Sequence, residues 1–224
     1  MLNAHSVTLE SAPSSSSRFP STTPAMGFIA DRFDLEKQVT FYLSYHDNKV
    51  NQCIHLACIW PIFVSGLLIL AHTQPLVETP ALVASLPYGE FVLFNYSAVM
   101  AAVYMLWYVA LDVYAGSLGA AIVALSFVSV NFFVVEGAKA WGVHSMHVAL
   151  TVHAAAWILQ FIGHGVFERR KPALFDSLDQ ALITAPMFVL LEILFPLGYR
   201  PDLYQRVMKQ VRVNVKNFQA SKTL

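Results

Sequence analysis

Apolar residues are gathered into five long blocks separated by short polar stretches: Gln52 to Leu70, Phe91 to Ala110, Leu118 to Val135, Val148 to Gly165 and Ala181 to Leu197. A hydrocarbon core about 30 Å thick takes about 20 helical residues, so each block is a candidate span. Pro61 predicts a kink in the first. The fifth contains Pro186, Pro196 and the ionisable Glu192 and reads as a segment that dips in and returns. Ahead of the spans, Asp31 to Asp47 mixes Phe33, Leu35, Val39, Phe41, Tyr42 and Tyr45 with Arg32, Glu36 and Lys37, the pattern of an amphipathic helix at an interface. His46-Asp47-Asn48-Lys49 ends that helix, and Asn51 is placed to cap the next one. The expected fold class is all-α: a polytopic membrane bundle of about four full spans.

Composition supports the bilayer as solvent, because 56% of the residues are hydrophobic and only 12% charged, against roughly a quarter charged in soluble domains. Net charge is zero, and no basic stripe alternates with aromatics, so nucleic acid is excluded as a partner. Cys53 and Cys58 lack a metal-type spacing and read as buried free thiols. Residues 1–30 read as a disordered Ser/Pro-rich tail without a signal-peptide pattern. Residues 204–224 read as a basic C-terminal tail, leaving 31–203 as the membrane domain. Arg32, Lys37 and Lys49 precede the first span, Arg169, Arg170 and Lys171 follow the fourth, and Arg200, Arg206, Lys209 and Arg212 follow the fifth block. Basic residues collect on the cytosolic side, so both termini are expected there.

Eight histidines supply the candidate chemistry. His5 lies in the tail and His72 at the far end of the first span. His46 and His55 flank the cytosolic entrance of that span, with a turn at Asp47 to Asn51 between them. His164 lies between Gly163 and Gly165, whose missing side chains permit close helix approach. The topology sets His46, His55 and His164 in one leaflet, where three neutral imidazoles can hold Fe(II). Gln160, His164 and Glu168 follow at four-residue steps on one helical face, and Glu168 or Glu192 is a candidate carboxylate ligand. His144, His147 and His153 form a competing cluster nearer the opposite leaflet. His153 is eleven residues and roughly 16 Å of helix rise from His164, too far to share an ion.

Each feature also has a structural reading. A lone intramembrane histidine or Glu192 can fasten helices together, and Arg169-Arg170-Lys171 serves as a topology signal as readily as a clamp for a substrate head group. Asn48, Asn51 and Gln160 can orient metal ligands by hydrogen bonds or serve as caps and packing groups. A non-enzymatic scaffold or lipid-binding protein is therefore the alternative. Diiron histidine-box enzymes fit less well, since His144-x-x-His147 is the one close pair.

Three strings, FYLSYHDNKVNQCIHLACIWP, WILQFIGHGVFERRKPAL and QALITAPMFVLLEILFPLGYRP, occur in that order and resemble the Mpo1-like family from about Asp34 to Leu203. The resemblance implies an endoplasmic-reticulum membrane protein and an Fe(II)-dependent dioxygenase. Its substrates would be 2-hydroxy fatty acids and O2, in the α-oxidation that follows phytosphingosine breakdown. The family's histidines match His46, His55 and His164.

The charge pattern generates a first test. Protease protection in sealed microsomes should leave both the N-terminus and the segment after Arg200 cleavable from the cytosolic side. Protection of the segment after Arg200 would mean that the fifth block crosses completely.

Overall fold

A computed structural model describes residues 31–171, 177–178 and 180–221, apart from the side chains of 138, 140 and 141. The N-terminal tail expectation and His5 lie outside the described residues. The elements are helices throughout: α1 (Leu35–Ser44), α2 (Lys49–Ala71), α3 (Tyr96–Leu111), α4 (Val113–Trp141), α5 (Ser145–Ile162), α6 (Ala185–Leu194) and α7 (Pro201–Ser221). Wider π turns, Gly163–Glu168 and Gln180–Thr184, extend α5 and precede α6. No strand occurs among the described residues.

Three apolar helical stretches have the length to cross a bilayer: Lys49–Ala71, Val113–Gly137 and Ser145–Glu168. The block expected at Phe91 to Ala110 forms a shorter helix of 16 residues. Its length is set by caps: Asn95 accepts the Ser97 and Ala98 N–H groups at the start, and Asp112 breaks the helix at the end. The first span runs unbroken through Pro61. Its cap is Asn48, not Asn51: Asn48 Oδ1 accepts from the backbone of Val50 and Asn51, because the chain needs only Tyr45 to Asn48 to turn out of α1. Of the two cysteines Cys58 is buried, whereas Cys53 is exposed.

Polar ties define the two ends of the bundle. At one end Asn95 Nδ2 reaches Asn131 Oδ1 at 3.1 Å and the Ala71 carbonyl at 3.3 Å, tying α2, α3 and α4. His72 at the end of α2 meets Ser145 Oγ at the start of α5 there. At the other end Asp112, in the turn from α3 to α4, accepts from Tyr199 Oη, the Ala115 N–H and Arg200 Nη1. Between the ends, apolar side chains such as Leu106, Leu125 and Ile158 face outward, the arrangement a surrounding bilayer satisfies.

The fifth block begins at Gln180 beside Gln38 of α1 and ends where Tyr199 and Arg200 bind Asp112. Between these points Tyr104 Oη donates to the Leu182 carbonyl and Trp107 Nε1 to Thr184 Oγ1. The basic segment after it forms a long amphipathic helix. Leu203, Val207 and Val211, four residues apart, bury one face of α7 against α1, and Arg206 makes a two-pronged pair with Glu36.

Three donors outweigh the effect of burial and hold the Asp112 carboxyl below its usual value. The folded value is the lower one, so its stabilisation is present above the unfolded value near 4 and is lost as pH falls through the folded one. Asp112→Asn should cost about 1.5–3 kcal/mol at neutral pH. Thermal unfolding in detergent should show the wild type, but not the variant, losing that advantage below about pH 4.

Candidate metal centre

The end of α1 and the start of α2 place two histidines on one another. Tyr45 closes α1, the chain turns, and His46 and His55 come to face each other with ring centroids 4.3 Å apart. His164 enters from the π turn after α5, 5.1 Å from His46 and 4.9 Å from His55. All three are buried, and one nitrogen from each lies within 4.8 Å of the others.

Ring orientation is set by backbone carbonyls. His46 Nδ1 lies 2.6 Å from the Tyr42 carbonyl and His55 Nδ1 lies 2.9 Å from that of Asn51, each one helical turn earlier. These contacts place the proton on Nδ1 and leave Nε2 as a lone-pair donor. Burial, reinforced by His55, pushes the His46 imidazole well below its ordinary value, so the ring is neutral. His46 Nε2 and His164 Nδ1 are buried without a hydrogen-bond partner. Buried polar atoms of that kind are costly unless something binds them, and the three imidazoles fit a transition-metal ion.

The two carboxylates stand elsewhere. Glu168 accepts from the backbone N–H groups of Asp47 and Asn48 at 3.1 and 3.0 Å and from Asn51 Nδ2 at 3.0 Å, closing the start of α2. It lies one turn past His164 on the side that faces α2, meeting Asn51 where His164 meets His55 one turn further along. Glu192 accepts from Tyr42 Oη at 3.2 Å. Neither belongs to the histidine group.

Asn48 caps α2, and Asn51 joins Glu168 while its carbonyl orients His55. Gln160 lines the cavity beside the histidines, and its Nε2 has no partner. Arg170 donates to the Ser44 carbonyl and lies between the Tyr45 and Phe218 rings, so it fastens α1 to α7. Arg169 and Lys171 are exposed. His144 and His147 pair with each other at 5.4 Å, at the end of the bundle marked by His72 and Ser145.

Two cavity residues were not singled out from the sequence. Tyr42 stacks on His46 at 4.2 Å and on Phe188 at 4.7 Å, and burial pushes its phenol well above the usual value, so it stays a neutral donor. Gln180 presents an unpartnered Oε1. A polar residue directly before an apolar block was the available signal for Gln180. For Tyr42 it was the four-residue step to His46.

Gly163 permits the approach of the π turn to α2, since a Cβ there would run into Asn51 Oδ1. Gly165 faces open space and makes no such demand. Asn51 is held by Glu168 and cannot withdraw. Gly163→Ala should therefore cost about 1–3 kcal/mol and lower bound metal, read by thermal unfolding and elemental analysis, while Gly165→Ala should change neither.

Residues 33–197 match the family model described as 2-hydroxy-palmitic acid dioxygenase Mpo1-like. The chain is 31% identical over 188 residues to the 2-hydroxy-palmitic acid dioxygenase MPO1 of Saccharomyces cerevisiae, covering 82% of this chain and 93% of the relative. No solved structure matches. The chain belongs to the Mpo1-like family.

Proposed function

We infer that this protein is an Fe(II)-dependent dioxygenase of the endoplasmic-reticulum membrane that shortens 2-hydroxy long-chain fatty acids by one carbon. The observation that carries the reading is the buried group His46, His55 and His164 at the head of a mostly apolar cavity. Imidazole suits iron, zinc, copper and nickel alike. Zinc has no redox chemistry, and the yeast relative is named a dioxygenase, so iron is the metal proposed.

The reaction balances without a further reductant. A 2-hydroxy acid and O2 give the acid one carbon shorter, CO2 and water: the C1–C2 bond breaks, C2 is oxidised to a carboxyl, and four electrons pass to dioxygen. Bound ferrous iron would supply the one-electron chemistry and the attachment points for O2 and for the substrate's oxygens. With Glu168 and Glu192 engaged elsewhere, the substrate's own carboxylate would supply the anionic oxygen donor to bound iron.

The chain's residues do the positioning. The Tyr42 and Asn51 carbonyls hold two imidazoles in the ligating tautomer. Gln160 Nε2 is placed to donate to the substrate's carboxylate, and Gln180 Oε1 to accept from its 2-hydroxyl. Ile59, Trp157, Phe161 and Ala185 wall the head of the cavity with apolar surface and keep water from it.

Single replacements His46→Ala, His55→Ala and His164→Ala should each abolish formation of the shortened acid from 2-hydroxypalmitate and strip iron from the purified protein. Gln160→Ala should cost about 10- to 100-fold, and His144→Ala should leave iron content unchanged. Normal iron and turnover in all three ligand variants would end the metal-site reading.

A further inference from the structure

Beyond the histidines lies a second cavity, lined by Ile62, Phe63, Gly66, Met100, His153 and Pro186 among others. It shares Ile59, Trp157, Ala181 and Ala185 with the first as common walls. The shared residues come from three elements, so the two cavities are consecutive lengths of one groove between α2, α5 and the fifth block.

Two antiparallel stripes form its sides. On α2 they are His55, Ile59, Ile62 and Gly66, and on α5 they are His164, Gln160, Trp157 and His153. Successive steps of three or four residues keep each stripe on one helical face. Gly66 is eleven residues from His55 and His153 eleven from His164, so both sides end roughly 16 Å below the histidines.

Polarity divides along the groove. At its head, four unpartnered polar atoms belong to lining residues: His46 Nε2, His164 Nδ1, Gln160 Nε2 and Gln180 Oε1. Among the described residues lining the second cavity, no buried polar side-chain atom is left without a partner. His153 would be the exception by residue type, but both its nitrogens are engaged. Trp157 Nε1 donates to His153 Nε2 at 3.1 Å, which places the His153 proton on Nδ1, 2.9 Å from Ser65 Oγ. The ring then shows the groove its carbon edge. A Cβ built on Gly66 would meet His153 Cε1 at 3.9 Å and Met100 Cε at 3.7 Å, so these three residues bring the opposite walls together.

We propose that the second cavity binds the hydrocarbon tail of the substrate, and that Gly66, Met100 and His153 form its floor and select chain length. This rests on the reading of the histidine end as the site of a 2-hydroxy fatty acid. An extended chain in which three bonds span 3.3–3.6 Å covers roughly 16 Å in about 14 bonds. A head group at the histidines therefore puts the end of a long-chain acid at Gly66. A branched side chain at Gly66 fills the floor, and removal of the Met100 side chain lowers it.

The test compares the full-length protein and its Gly66→Leu and Met100→Ala variants in detergent. Turnover of ten-, sixteen- and twenty-carbon 2-hydroxy acids is measured with iron. Equilibrium binding of the same acids to metal-free protein is measured separately. Gly66→Leu should lower the sixteen-to-ten-carbon preference by about tenfold or more in both measurements. Met100→Ala should raise the twenty-to-sixteen-carbon preference. Unchanged preferences in variants that still turn over or bind the acids would overturn the tail site. Should Gly66→Leu prove unfolded, the Met100→Ala profile decides alone. If the wild type binds long acids with the expected variant shifts yet turns none over, the tail site stands and the dioxygenase reading falls.

Discussion

Glu168 closes the ends of two helices on each other. Its carboxylate takes the first backbone N–H groups at the start of α2 and the Asn51 amide. Asp47 and Asn48 directly precede the first turn of that helix, and the partial positive charge of a helix N-terminus favours an anion there. The contact spans 117 to 121 positions of sequence, and His164 sits on the same π turn as Glu168. Once the carboxylate is seated, His164 faces His46 and His55. A residue that resembles a metal ligand in sequence thus does its work by bringing the three histidines together.

The same economy runs through the rest of this end of the molecule. Asn51 donates to Glu168, supplies the carbonyl that orients His55 and abuts Gly163. Tyr42 supplies the carbonyl that orients His46, stacks on its ring and donates to Glu192. Arg170 fastens α1 to α7 instead of facing the cavity. Polar residues near the bilayer interface are thereby spent on each other. The buried polar atoms left over are concentrated at the head of the cavity, where a ligand can satisfy them.

Membrane solvent explains why the tail end of the groove differs. A hydrocarbon chain needs walls without unmet donors or acceptors. Ser65 and Trp157 bring that about at His153 by engaging both ring nitrogens. A histidine in an apolar block is then compatible with an apolar lining, a property of its neighbours that its own identity does not convey.

The linear pattern by itself determined the helical class, the apolar blocks and the amphipathic segment before them, because hydrophobic length and 3.6-residue periodicity are local properties. It also singled out His46, His55 and His164, because membrane depth follows from the order of spans and the family strings contain all three. Tertiary structure decided what those cues could not reach. The donors at the start of α2 took up the Glu168 carboxylate, and Asn48 capped α2 where Asn51 had been expected. Caps at Asn95 and Asp112 shortened α3, and the basic tail became a helix packed on α1. Each depends on which backbone donor or apolar face a distant segment happens to meet, and such a meeting is a property of the folded chain in three dimensions, not of spacing along it.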